Sequence, residues 1–189
     1  MQLLVLRRFA QTSIAEARQK RGIMSLLEIE FERDINPVDM IEQVASMNEW
    51  EFERAGDNEI NITVAGVWAD YSISLSWMEE FEALHLACAF DLKVPKSRMS
   101  ETMKLLSLVN EQLLIGHFDL WAMEGSIMYR QALLLNGGAE PTGEQIECLL
   151  MSALEASERY FQAFQFVVWA GKPAQEAVDA SMFETMGNA

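Results

Sequence analysis

Two histidines, two cysteines and a scatter of carboxylates are the residues of this 189-residue chain suited to catalysis or metal binding, and their spacing argues against both. His85 and Cys88 lie three apart in a segment that alternates as a strand, so their side chains point to opposite faces and cannot share an ion. His117 opens a different strand, and Cys148 falls in a helical pattern with no His or Cys partner one turn away. No metal is expected. Acid–base chemistry has two candidate pairs, His85 with Asp91 and His117 with Asp119, each projecting from one face of one strand. The simpler reading is a solvated strand face, because no Gly-x-Ser-x-Gly elbow and no Cys–His arrangement of familiar spacing accompanies them. No catalytic residue is therefore assigned.

Other chemistry is weaker still. Glu79, Glu80 and Glu82 cluster at a hairpin tip without the regular ligand spacing of a calcium loop. Gly137-Gly138 is not followed by Lys-Ser/Thr, so it reads as a strand exit and not as a phosphate loop. No cofactor is expected. Asn110 is a polar residue at an apolar position of a helical pattern, where a buried amide must find partners; a strand end or loop backbone would serve. Five tryptophans are many for the length; most are expected in the core, but Trp68 and Trp121 fall near loops or on the polar side of strands, where exposed rings are typical of protein-binding patches.

The elements that would position these residues can be read from periodicity. Asn36-Pro37 is a helix start by chemistry, Asn accepting from a free amide and Pro needing no donor, and Met40, Ile41, Val44, Ala45 and Met47 give a helix to about Asn48. Trp50 to Arg54 suggests a short leading strand before the Gly56-Asp57-Asn58 turn. Strict alternation then marks three strands: Ile60, Ile62 and Val64; Tyr71, Ile73, Leu75 and Trp77; Leu84, Leu86, Cys88, Phe90 and Leu92. A second helix follows, with Met99, Met103, Leu106, Asn110 and Leu113 as its apolar stripe and Gly116 as its left-handed end. Phe118 to Met123 and Ile127 to Leu135 form a hairpin around Glu124-Gly125-Ser126. Thr142 with Gln145 is a capping box for a long helix to Gly171, and Pro173 starts a tail helix carrying Ala177, Val178 and Met182. The fold class is α+β, an antiparallel sheet of about five strands with helices packed on it, in the order α-β-β-β-α-β-β-α.

Composition bounds the function. With 29 acidic against 14 basic residues, a net charge of −15 would repel a phosphate backbone, which argues against nucleic acid as a direct partner. No apolar run approaches the roughly 20 residues of a membrane span, so no membrane partner is expected. Cys88 and Cys148 both sit in apolar periodic segments, which suits buried reduced thiols in a cytoplasmic protein, without a disulfide framework. Residues 1 to 23 differ from the rest: Arg7, Arg8, Arg18, Lys20 and Arg21 face the single acid Glu16. The favoured explanation is a start assigned too far upstream, with Met24 the true beginning, over a functional basic leader; either way the segment should be poorly ordered. Residues 24 to 189 are expected to form one domain.

With this order of elements in place, several short motifs carry a family likeness. They are Asp70-Tyr71, Leu84-His85-Leu86 with Cys88, Val94-Pro95, Asn110-Glu111 with Gly116-His117-Phe118-Asp119, Tyr129-Arg130 leading into Leu133-Leu134-Leu135, and the helix after Pro141-Thr142. From Met24 to the C-terminus the chain resembles the YbjN family, often labelled bacterial sensory transduction regulators. That family looks like the fold of type III secretion chaperones, small acidic proteins that hold a partner segment and often dimerise. The resemblance implies a non-enzymatic, chaperone-like regulator in bacterial signalling or stress response, binding a protein client or regulatory partner through a sheet face, edge or helix groove. Trp68, His85, Asn110, His117, Asp119, Trp121 and Arg130 are the candidate partner-binding or structural residues. A homodimer is compatible with the pattern. The rival reading is a small-molecule sensor or uncharacterised enzyme with a polar site near His117, Asp119 and Asn110.

Overall fold

The computed structural model describes residues 35–187, with side chains to Ser181; the expectations for residues 1 to 23 and for the side chain of Met182 lie outside the described residues. The chain begins with helix α1 (Pro37–Met47), whose Asn36 cap accepts from the Val38 amide at 2.9 Å. The same Asn36 donates to the Asp57 carbonyl and to Asn58 Oδ1, each at 3.0 Å, so one side chain both starts the helix and holds the first hairpin turn. Val38, Ile41, Val44 and Ala45 are buried while Met47 is exposed, which corrects the expected face by one residue at its end.

Among the described residues six strands form one antiparallel sheet: β1 (Glu51–Gly56), β2 (Glu59–Ala65), β3 (Asp70–Met78), β4 (Ala83–Lys93), β5 (His117–Trp121) and β6 (Ser126–Leu134), in the order β1-β2-β3-β4-β6-β5. The sixth strand is β1, the leading strand suggested by Trp50 to Arg54. Between β3 and β4 the acidic tip is a single 3₁₀ turn, Glu79–Phe81. Its carboxylates are used and not merely solvated: Glu79 accepts from Asn58 at 2.8 Å, and Glu82 from the Asn136 amide and the Gly137 N–H at 3.4 Å.

Helix α2 (Met99–Gln112) buries Thr102, Leu105, Leu106 and Val109, and Met103 is exposed. The expected stripe through Met103 and Asn110 is therefore rotated by one position. Apolar lines one residue apart, about 100° around the helix, satisfy the same period, and only the tertiary partners decide which line is covered. Those partners are β5, α3 (Gly143–Val168) and α4 (Ala174–Gly187). The helix also stops at Gln112, with Leu113 extended, so Gly116 (φ 66°) turns the loop beyond it instead of capping it.

Helix α3 carries the capping box read from Thr142 and Gln145, and its Phe161 and Phe164 meet Phe90 and Phe118 from the sheet, the closest ring pair being Phe118–Phe164 at 5.1 Å. Burial of these rings supplies much of the stabilisation, at about 2–3 kcal/mol for each fully covered side chain. Cys88 lies in this core, its thiol 3.5 Å from the Ser157 hydroxyl and its pKa pushed up to about 11 by burial. Cys148 is exposed on α3, a correction: Ile146, Leu149 and Leu150 take the buried line, and Cys148 falls outside it. No helix of the described residues is long and apolar enough to cross a membrane.

Candidate functional site

Among the described residues, the helices that pack on the sheet meet the face bearing Tyr71, Ile73, Leu86, Cys88, Phe118 and Tyr129. The alternation turns Ser72, Ser74, His85, Ala87, Ala89, His117, Asp119 and Arg130 to the opposite face. Four of the residues singled out in the sequence converge there. Arg130, on β6, donates from Nη1 to Asp119 Oδ2 on β5 at 2.9 Å, and from Nε and Nη2 to His85 Nε2 on β4, each at 3.3 Å. His117 stands directly across from Arg130 in the β5–β6 register. The pairs expected along single strands do not form: Asp91 is not the partner of His85, and Asp119 bonds to Arg130 and to the Leu120 amide.

Electrostatics settles the state of His85. Burial first, and then the nearby charges of Arg130 and His117, lower its pKa from 6.5 to about 4, so the ring is neutral near neutral pH and Nε2 is free to accept from Arg130. The Arg130–Asp119 pair is part-buried. The fork of Arg130 is occupied on both sides, and among the described residues neither histidine bonds to a hydroxyl or thiol. Chemically this is a clamp that ties the edge strand β5 across β6 to β4, with no nucleophile poised beside a base. Among the described residues no three of His, Cys, Asp and Glu gather to hold a metal ion.

Asn110 sits on the other side of β5. Its Nδ2 donates to the Phe118 carbonyl at 3.0 Å and its Oδ1 accepts from the Phe118 amide at 2.8 Å, so it closes the outer edge of β5 and fastens α2 to the sheet. Asn110 thus does not share a space with His117 and Asp119, whose side chains are on the opposite face. Trp68 is exposed in the β2–β3 loop, and Trp121 is half-buried at the far end of β5; neither joins the cluster.

Between Asn110 and the clamp runs a loop whose importance the sequence reading missed, residues 113 to 116. The Tyr129 hydroxyl, which faces the core side, lies 3.0 Å from the Ile115 carbonyl and 2.9 Å from Gln131 Oε1. A side chain at Gly116 would run into that same tyrosine, so only glycine lets the loop pass. The loop leaves Leu114 97% and Ile115 48% exposed. A cleft opens on each side of it. One, of about 490 Å³, is lined by Gln112, Tyr129, Ser152, Glu155 and Arg159; the other, of about 500 Å³, by His85, His117, Arg130, Gln131 and Ala132. Three aliphatic residues directly after a helix, Leu113 to Ile115, where a connection is ordinarily polar, are the sequence signal that could have found this place.

Residues 37–166 match the YbjN family, whose description is "Putative bacterial sensory transduction regulator". No curated protein sequence matches the chain. Among solved structures, a chain of the ExsC–ExsE complex is similar with 16% identity and a TM-score of 0.46, covering 68% of this chain and 94% of that one. The crystal structure of YbjN from E. coli, described as "a putative transcription regulator", is similar with 11% identity and a TM-score of 0.48, covering 78% of this chain and 93% of that one.

Proposed function

The chain belongs to the YbjN family, and from that premise we propose that it is a cytoplasmic, non-catalytic regulator that acts by holding a segment of another protein, as a chaperone does. The observation that carries this reading is the aliphatic loop at the interrupted sheet edge, where Leu114 and Ile115 stand in water between two clefts. Exposing such side chains is costly unless a partner covers them, at about 25 cal/mol per Å² of apolar surface. The polar cluster supports the same reading. Its arginine and the ring nitrogen of His85 are spent on each other, which leaves little for turning over a substrate.

The test is capture of partners by the full-length tagged chain from its own source cells, at two salt concentrations, with identification by mass spectrometry. A near-stoichiometric partner that survives high salt is the expected result, because aliphatic contact is not screened. Absence of any partner at both salts overturns the reading.

A further inference from the structure

The register of the sheet shows a second feature at the same loop, and the inference drawn from it rests on the protein-binding reading. β5 begins at His117, opposite Arg130, whereas β6 runs on to Leu134. Four residues of β6, Gln131 to Leu134, therefore have β4 on one side and no described strand on the other. The Leu135 amide donates to the Glu82 carbonyl on the β4 side at 2.7 Å. Backbone groups alternate sides along a strand, so the amides and carbonyls of Leu134 and Ala132 point to the open side. That is two free rungs of a sheet ladder.

Among the described residues this line is unoccupied. Residue 115 would face Ala132 if β5 continued backward in register, but the Ile115 carbonyl is held to the Tyr129 hydroxyl on the core side of the sheet. The loop thus drops beneath the edge and leaves the 500 Å³ cleft beside it. Leu134 is 67% exposed on the same overhang. The charge of the place is equally distinctive. In a chain with 29 acidic residues, the cleft lining has no carboxylate and includes His85, His117 and Arg130, the last already paired with Asp119 just outside the lining.

We propose that this notch is the docking site for an extended segment of a partner protein, which continues the line of β5 by pairing with Ala132 and Leu134. The segment runs antiparallel to β6, is aliphatic at the position between the two rungs, and carries a carboxylate at the C-terminal end that reaches His117. Extended backbone is required because only it can supply two donors and two acceptors at strand spacing. The residue between the rungs turns its side chain to the core side, where the loop bearing Leu114 and Ile115 lies. A lysine- or arginine-rich segment would find no counter-charge in this lining and would prefer the acidic surface elsewhere.

The experiment uses the full chain and a fluorescein-labelled Thr-Val-Thr-Val-Glu peptide, followed by fluorescence anisotropy. Two controls separate backbone pairing from stickiness: the same peptide N-methylated at its valines in one set and at its threonines in another, and the variant Ala132→Pro, which removes an amide that serves no pair within the sheet. Leu114→Ser, at a fully exposed position, provides a variant whose fold is not at risk. Saturable binding that weakens at least tenfold with one of the N-methylated peptides, with Ala132→Pro and with Leu114→Ser is expected. Absence of binding, or binding indifferent to N-methylation, overturns the proposal. So does a dimer in sedimentation that Ala132→Pro converts to monomer, since a second copy would then be the occupant. A cellular partner captured equally by wild type and Ala132→Pro overturns the notch and leaves the protein-binding reading standing. Peptide binding without any cellular partner does the reverse.

Discussion

On the core face of the sheet, Tyr71, Ile73, Leu75, Leu84, Leu86 and Cys88 are closed over by helices. On the opposite face the same strands present Ser72, Ser74, Ala87 and Ala89, with the clamp of His85, Arg130 and Asp119 toward the β5 edge. Both faces come from the same alternation, and they treat polar groups differently. On the core face Asn110 is kept with its amide matched at both ends by Phe118, whereas the buried hydroxyls of Tyr71 and Thr102 have no hydrogen-bond partner among the described residues. On the opposite face a shared arginine joins three strands through His85 and Asp119, at side chains that remain part-exposed.

The sharpest way to break this comparison is to remove the matched amide. Asn110→Ala leaves both backbone groups of Phe118 without their partner at a part-buried edge, and should lower stability by about 2–3 kcal/mol. Chemical denaturation reads the loss, and hydrogen exchange should show it concentrated at the Phe118 amide. A fully stable variant would mean that solvent reaches β5, and that the two faces differ less than their burial implies.

That amide was legible in the sequence because an isolated polar residue interrupted an apolar helix, although the stripe drawn through it was one position off. The alternating strands were legible for the same reason in reverse: from Tyr71 to Trp77 and from Leu84 to Leu92 every apolar side chain that packs under the helices falls at period two, and only Ser76 among the alternate residues is itself buried. The clamp was only half legible. His85, Asp119 and Arg130 could each be singled out, but the histidines were paired with Asp91 and Asp119 along their own strands and Arg130 with neither, and contact across strands depends on a crossover that puts β6 beside β4 with β5 outside it. Strand order is a long-range choice that local pattern does not encode. The notch was hidden by the same step, since it exists only as a difference in length between two strands once they are placed in register.

A smaller effect should come from the clamp on the opposite face. His85 has a folded pKa of about 4 against an ordinary 6.5, so its protonated form is disfavoured in the fold and the unfolded chain binds the proton more readily. The sign follows: this contribution is complete above pH 6.5, falls as the pH drops from 6.5 to about 4, and is flat below that. Partial exposure moderates the size to about 1–2 kcal/mol over the window. His85→Gln retains an acceptor for Arg130 but does not titrate. Its stability should change less between pH 7 and pH 4 than that of the wild type, as urea midpoints at the two pH values will show. Parallel curves would place the acid sensitivity elsewhere.

The smallest effect tests whether a second copy packs on the face opposite the helices in solution. Ser72 is exposed and faces Thr63 and Ala89 across its neighbouring strands. A lysine there can lie along the small side chains and keep its ammonium in water, so Ser72→Lys should change stability by less than about 0.5 kcal/mol, and should do so identically at all protein concentrations. A second copy packed face to face would have to bury that ammonium, at a cost of several kcal/mol unless a carboxylate met it. A loss that grows as the protein is concentrated, with a matching fall in sedimentation coefficient, would therefore identify this face as a homodimer interface. The small residues on it would then serve close approach between two sheets and would not be a passive surface.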